Sequence, residues 1–138
     1  MKKVEIESGI EFSEGMKVFF VGEKLPMIVK AVNENFAICT RKLHRREDSD
    51  LLHHQVSVSN YLSFTEAYNS LKDLCVYTII DFKKGLRGPD NYGGYIDYND
   101  KKEANELLSL LDKGEVEISR RNQCIYNLDF ERTLKEFF

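Results

Sequence analysis

Tryptophan is absent from this chain of 138 residues, proline occurs only twice, and cysteine occurs three times. No apolar run approaches the roughly 18 residues that a membrane-spanning helix needs. The N-terminal stretch MKKVEIESGIEF begins with basic residues but lacks the apolar segment of a signal peptide. Because this length suits one domain with its own hydrophobic core, we expect a single domain, residues 1–138, in the cytoplasm.

The chain also lacks a strong excess of charge of one sign. Its 20 basic and 23 acidic residues give a formal net charge of −3 and a pI near 5.7. A protein that binds a long duplex usually presents a broad basic face. We therefore expect no long nucleic acid as a partner, and any anion site must be a local patch.

The three cysteines, Cys39, Cys75 and Cys124, are odd in number and lie in apolar, strand-like sequence. Free cysteine is among the most buried residue types, and disulfides are rare in the cytoplasm. We therefore expect three reduced, buried thiols.

Recognised patterns for catalysis and metal binding are missing. Gly85-x-x-Gly88 lacks the lysine, the spacing and the following helix of a phosphate loop or a dinucleotide fingerprint. The three histidines have no cysteine or carboxylate at a metal-ligand spacing. The sequence leaves open whether Asp81, Asp90 and Asp97 come together as an acid–base pair. We expect no enzymatic activity, no cofactor and no metal site.

The first half of the chain is typical of an antiparallel meander. Residues 15–22 form a short apolar run between glycines, and residues 27–32 and 36–40 are apolar runs joined by the turn sequence Asn33-Glu34-Asn35. This pattern predicts a small SH3-like half-barrel or a curled antiparallel sheet. Residues 41–54, RKLHRREDSDLLHH, carry four lysine or arginine side chains and three acidic ones and predict an exposed charged loop. Residues 55–59 predict a half-buried strand.

The second half adds helices to the sheet. Ser63 and Glu66 match a capping box and predict a helix, which leads into a central strand at residues 75–82. Asp100 predicts the start of a second helix that ends before Gly114. Residues 116–119 and 124–128 predict two further strands, and residues 130–138 predict a terminal helix. The fold class is therefore α+β, a curled antiparallel sheet with two or three packed helices, one of them C-terminal.

The apolar side chains Leu134, Phe137 and Phe138 stand at the end of the chain. They predict either docking on the core or burial against another subunit. We expect a homo-oligomer, a dimer or a multiple of one.

The most distinctive stretch is residues 77–95, YTIIDFKKGLRGPDNYGGY. Four of the eight glycines and one of the two prolines lie between Gly85 and Gly94. Such residues favour sharply specified turns, so we interpret the stretch as a strand followed by a rigid loop. A loop that displays Arg87, Asp90, Asn91 and aromatic rings indicates a site for a planar, anionic ligand. The alternative is a hairpin connection with solvated charges.

Two segments of the chain carry the side chains that suit a nucleotide. Phe or Tyr rings stack on bases, arginines bind phosphates, and amides or carboxylates read hydroxyls and base edges. The candidate ligand-binding residues are Phe82, Arg87, Asp90, Asn91, Arg120, Arg121 and Asn122. If the two segments converge, Phe82 stacks on the base and the three arginines hold the phosphates.

The phrases YTIIDF, GLRGPDN and EISRRN in these segments resemble small phage and prophage proteins of the first family of Thoeris anti-defence proteins. The resemblance covers roughly residues 75–123. It implies a non-enzymatic sponge that sequesters cyclic ADP-ribose-type signals made by bacterial TIR enzymes, acting in the bacterial host cytoplasm. This chain departs from the family pattern at Arg120, where a histidine is usual, and at residues 92–95, where Tyr-Gly-Gly-Tyr replaces an apolar run.

Two other functions remain open. The meander could be an SH3-like module that binds nucleic acid or a host protein through the glycine-rich loop. A small hydrolase that acts on the same nucleotide is the third possibility.

Overall fold

The most apolar run of the chain forms the central strand of the sheet. In the computed structural model this strand, β6, comprises Cys75–Asp81, and all seven of its residues are buried. It pairs antiparallel with β5, Phe36–Lys42, along its full length. β-Branched and aromatic side chains favour such a doubly covered position. The prediction of a central strand is confirmed.

The sheet is an antiparallel meander that curls. Its other strands are β3 (Lys17–Val18), β4 (Met27–Val32), β7 (Leu86–Arg87), β8 (Asn91–Tyr92) and β9 (Cys124–Ile125). The strand order is β3-β4-β5-β6-β7-β9, and β8 pairs with the opposite end of β6 from β7. Together with the helices, this arrangement confirms the α+β class and the curled antiparallel sheet. The structure describes residues 3–5, 11–44, 49–58, 63–88, 90–92, 98–99 and 101–132.

The two ends of the sheet meet beyond β3 and β9. Phe20 and Leu128 form an isolated antiparallel bridge. The amide of Val21 donates to the carbonyl of Asn127 at 2.9 Å, and the amide of Asp129 donates to the carbonyl of Phe19 at 2.7 Å. The chain after β9 therefore returns to the chain after β3, as expected for an SH3-like curl. These bonds satisfy backbone groups that an open edge would leave unpaired.

Strand alternation divides the interior into two cores. Val76 and Ile80 point into the first core, inside the curl, with Phe12, Val29 and further apolar side chains. Cys75, Tyr77 and Ile79 point to the opposite side, into the second core, which lies between the sheet and the helix Lys101–Asp112. Because successive strand residues face opposite sides, β6 supplies both cores at once.

Helix α3 covers the second core. It comprises Lys101–Asp112, and its buried side chains are Ala104, Leu107, Leu108 and Leu111. Gly114, at φ +73°, follows it, and the amide of Glu115 donates to the carbonyl of Leu110 at 3.0 Å. This is the C-terminal arrangement that favours glycine, and the predicted helix is confirmed. Asp100, its predicted cap, lies outside the described residues.

A helix pair occupies the region between β5 and β6. Helix α2 comprises Phe64–Leu71 and is capped as predicted, since the side chain of Ser63 accepts from the amide of Glu66 at 3.2 Å. Helix α1, Asp50–Ser57, corrects two predictions, the charged loop at 41–54 and the strand at 55–59. Its apolar residues Leu52 and Val56 lie one turn apart and pack with Ala67 of α2. The charged and histidine residues around them obscured this helical spacing.

Several smaller predictions change. Residues 116–119 are irregular rather than a strand, and Ile118 among them packs close to Gly88. A hairpin of β1 (Lys3–Glu5) and β2 (Glu11–Ser13) was not predicted. Cys39 and Cys75 are buried as expected, but Cys124 is exposed, because β9 lies at the end of the strand order.

The C-terminal part is described as far as residue 132. Residues 130–132 are helical, and the guanidinium of Arg132 lies 3.9 Å from the ring centre of Phe19. The apolar residues Leu134, Phe137 and Phe138 lie outside the described residues. Among the helices of the described part, none is long and apolar enough to cross a membrane.

Candidate functional site

The fold brings together the two segments that the sequence singled out. Strand β7 pairs antiparallel with β9, with Leu86 opposite Ile125 and Arg87 opposite Cys124. The sulfur of Cys124 lies 3.9 Å from the carbonyl oxygen of Arg87. The residues that flank these strands, Gly88–Asn91 on one side and Glu117–Asn122 on the other, are therefore neighbours although about 30 positions apart in sequence.

Gly88 lies in close contact with the second segment. Its amide donates to the carbonyl of Ile79 at 2.6 Å, and its carbonyl accepts from the hydroxyl of Thr78 at 2.6 Å. A Cβ atom added at Gly88 would lie 3.0 Å from Cγ2 of Ile118. Glycine is therefore favoured here because the side chain of Ile118 packs directly on the backbone.

A groove of about 350 Å³ lies where β6, α3 and the segment after α3 meet. We call it the α3–β6 groove. Strand β6 contributes Tyr77 and Ile79, and α3 contributes Glu103, Glu106, Leu107 and Leu110. Gly88, Asn91 of β8, residues 116–119 and Asn122 complete the described lining. This volume is within the range of small-molecule sites, roughly 300–1,000 Å³.

The chemistry of the groove is apolar with hydrogen-bonding groups at its margins. Tyr77, Ile79 and Leu107 offer flat apolar surface, while Asn91 and Asn122 each supply an amide. Asn91 is placed there by its pairing with Tyr77, because directly opposed residues share a face of the sheet. An apolar surface with a few polar groups suits a base and its ribose.

A second hollow, of about 270 Å³, lies next to the groove. It shares Val116, Glu117 and Ile118 with the groove and also includes Asp81 and Lys84. The carboxylate of Asp81 accepts from the amides of Lys83 and Lys84 at 3.0 and 3.1 Å. This aspartate therefore stabilises the turn after β6.

Arg87 lies on the other face of the sheet. It stands opposite Ile80, whose side chain belongs to the first core. Its guanidinium lies 2.6 Å from a carboxylate oxygen of Glu23 and 2.7 Å from one of Asp90, and only 11% of its side chain is exposed. The ring of Phe20 lies 3.8 Å beneath it. Burial lowers the pKa of Arg87, but the hydrogen bonds to Glu23 and Asp90 outweigh that effect and hold it above its usual value.

Phe82 also lies away from the groove. Its half-buried ring packs on the first core and meets Phe12 edge to face, with the ring centres 5.1 Å apart. The predicted site residues are thus divided between two faces. Phe82, Arg87 and Asp90 lie on or beside the first core, whereas Asn91 and Asn122 line the groove.

The remaining predicted residues belong to a short 3-10 turn, Arg120–Asn122. The side chain of Arg121 is exposed. Arg120 precedes it on the same turn. The turn therefore places at least one cation beside Asn122, at the margin of the groove.

The two described aspartates of the possible acid–base pair, Asp81 and Asp90, have separate partners. Asp81 accepts from two backbone amides, whereas Asp90 is bound to Arg87. Asp97 lies outside the described residues. Among the described residues, no cluster of three or more His, Cys, Asp or Glu side chains could hold a metal ion.

Sequence reasoning missed the contribution of α3 to this site. Glu103, Glu106, Leu107 and Leu110 line the groove and recur at spacings of three and four residues. That spacing marks one side of a helix. The signal was present in the sequence, but the residues were interpreted only as part of an amphipathic helix.

Comparisons with protein-family models, with curated proteins and with solved structures gave no match.

Proposed function

We propose that this protein binds and sequesters a cyclic ADP-ribose-type nucleotide in the α3–β6 groove without cleaving it. The observation that carries the proposal is the convergence of two distant segments on one groove. Asn91 ends the GLRGPDN phrase and Asn122 ends the EISRRN phrase, and both line the cavity. These are the phrases that resemble the sponge family.

The groove supports a specific placement of the ligand. The adenine would lie against Tyr77, Ile79 and Leu107, where stacking and apolar contact replace water. The amides of Asn91 and Asn122 would bind ribose hydroxyls or a base edge. The phosphates would lie towards the 3-10 turn, where the exposed Arg121 supplies a cation. The side chain of Arg120, the other arginine of this turn, lies outside the part that the structure describes.

Phe82 and Arg87 lie away from the groove, so the proposal gives them supporting roles rather than direct contact with the ligand. Arg87 is already bound to two carboxylates, so a phosphate would have to displace Glu23 or Asp90 to reach it. We therefore assign Arg87 and Asp90 the role of holding the loop before Asn91 in place. Phe82 supports the same turn through its contact with Phe12.

Sequestration requires affinity and abundance rather than turnover. Among the described residues, the site offers amides, a tyrosine ring and the exposed Arg121, which are binding groups. We further propose that the protein is a homo-oligomer, on the evidence of the apolar sequence at its C-terminus.

Two measurements test this function together. Calorimetry against a panel of cyclic ADP-ribose isomers should detect binding of at least one isomer at micromolar concentration. The complex should then be heated, and mass spectrometry should determine the mass of the released ligand. A sponge returns the cyclic nucleotide intact, whereas a hydrolase returns a linear product. Failure of every isomer to bind at millimolar concentration would remove the proposal.

One surface favours the alternative function, a module that binds nucleic acid. Phe64 is 58% exposed and stacks between His53 and Tyr68, with ring centres 6.2 and 6.3 Å away. Exposed rings of this kind can stack on single-stranded bases. A nucleic-acid binder loses affinity steeply as salt rises, whereas ligand held in a groove should be far less sensitive. Titration of a short single strand at two salt concentrations separates the two functions.

A further inference from the structure

The α3–β6 groove has an unusual charge for a site that would take a nucleotide. It is lined by three carboxylates: Glu103 and Glu106 from α3, and Glu117 from the segment that follows. No lysine or arginine is among the described residues of its lining. Within the described part of the chain, Glu106 and Glu117 form no ion pair. The described lining therefore carries carboxylates and no cation, and the exposed Arg121 precedes the lining residue Asn122.

We propose that these carboxylates form a selectivity filter that excludes nucleotides with a terminal phosphate. This inference rests on the proposed function, and it names the class of nucleotide that the site accepts. A terminal phosphate monoester carries about −1.5 to −2 charges at pH 7. Placed beside these carboxylates, it is repelled.

A cyclic ADP-ribose isomer avoids this repulsion because of its covalent structure. Its two phosphates form an internal pyrophosphate that is esterified at both ends, so it has no terminal monoester. The ring can therefore present its base and ribose hydroxyls to the groove and turn both phosphates towards Arg121. Linear nucleotides such as AMP and ATP end in the doubly charged group that the carboxylates disfavour.

The same carboxylates do not exclude neutral donors. An ionised carboxylate accepts hydrogen bonds and donates none. Glu106 and Glu117 can therefore bind ribose hydroxyls or an exocyclic amine while they repel phosphate. A sponge gains from such discrimination, because abundant linear nucleotides would otherwise fill the site.

The experiment measures how well adenosine and AMP displace a bound cyclic ADP-ribose isomer. It uses the full chain, the variants Glu106→Gln and Glu117→Gln, and Glu115→Gln as the matched control. Glutamine keeps the shape of glutamate and removes its charge. Glu115 is exposed and lies two residues from Glu117, but it does not line the groove.

The filter predicts that AMP competes much less well than adenosine with the wild-type complex. Each groove variant should raise the affinity for AMP by about three- to tenfold relative to adenosine at low salt. Glu115→Gln should leave this ratio within about twofold, and raised salt should shrink the effect.

Three results would overturn the filter. The first is that AMP competes with the wild type as well as adenosine does, and the second is that the groove variants leave the ratio unchanged. The third is that neither adenosine nor AMP competes with any variant, which would show that the carboxylates are not the barrier. In all three cases binding of the cyclic isomer itself still supports the proposed function. If no isomer binds at all, both proposals fail.

Discussion

The guanidinium of Arg87 lies 2.6 Å from the carboxylate of Glu23, although the two residues are 64 positions apart. This pair joins strand β7 to the turn that follows Phe20. The same turn is held from the other side by Arg132, which donates to the backbone carbonyls of Glu23 and Lys24 at 3.2 and 3.4 Å. Two arginines therefore tie the N-terminal turn to the sheet and to the C-terminal segment.

Arg87→Ala should destabilise the fold because it leaves two partly buried carboxylates without their partner. Both carboxylates keep some contact with water, so we expect a loss of about 1.5–3 kcal/mol in the free energy of unfolding. Denaturant melts provide the measurement. Lys83→Ala, which removes an exposed cation from the turn between β6 and β7, should cost under about 0.5 kcal/mol in the free energy of unfolding. Equal losses from the two variants would show that Arg87 is no more than a surface charge.

Gly88→Ala should disturb the contact between the two segments of the site. The new Cβ would meet Ile118 at 3.0 Å, so the segment after α3 would have to shift. We expect a loss of about 1–3 kcal/mol in stability, as for other overpacked sites. The double variant with Ile118→Ala removes the obstructing atoms and should cost less than the sum of the single variants. Strict additivity would contradict the close packing described for Gly88.

Ile80→Ala should cost about 2–5 kcal/mol in the free energy of unfolding, because Ile80 is fully buried in the first core. Ile79→Ala tests the second core in the same way. Val21→Ala is the control, since that side chain is 63% exposed. Melts that show losses below about 1 kcal/mol for both isoleucines would be inconsistent with a central β6.

One thiol of three should react in the native protein. Cys124 is exposed, whereas Cys39 and Cys75 are buried. Burial raises the pKa of Cys39 to about 12, although Arg87 lowers it slightly, so this thiol stays protonated and unreactive near pH 8. A chromogenic disulfide reagent should titrate one equivalent before unfolding and three afterwards. Cys124→Ser should abolish the native reaction, and a remaining fast equivalent would contradict the burial of the other two.

The elements that the sequence predicted well each have one clear sequence pattern. Helix α3 repeats its apolar residues at three and four positions, and β6 is an unbroken run of strand-forming residues. Helix α1 has only two buried apolar residues among histidines and charges, so its period was weak. Local sequence carries little information about such an element, which is stabilised by its contact with α2.

The candidate site shows a different limit of sequence reasoning. The sequence supports the hypothesis that residues 85–91 and 117–122 converge, because both carry side chains suited to ligand binding. Which of their residues share a face depends on the register of β6 against β7 and β8. Arg87 stands opposite Ile80 and Asn91 opposite Tyr77, which sends them to opposite sides of the sheet. A change of one residue in register would reverse the assignment, and sequence alone does not specify the register.

The most direct test of the account is the binding of a cyclic ADP-ribose isomer by asparagine variants in calorimetry. Asn91→Ala and Asn122→Ala each remove one amide from the groove, whereas Asn105→Ala removes an exposed amide from α3 that does not line it. Thermal melts confirm that each variant is folded. We predict that each groove variant loses about five- to thirtyfold in affinity, the value of a hydrogen bond of about 1–2 kcal/mol, while Asn105→Ala binds like the wild type. Unchanged affinity in both groove variants would contradict the account and place the ligand, if one binds, elsewhere on the protein.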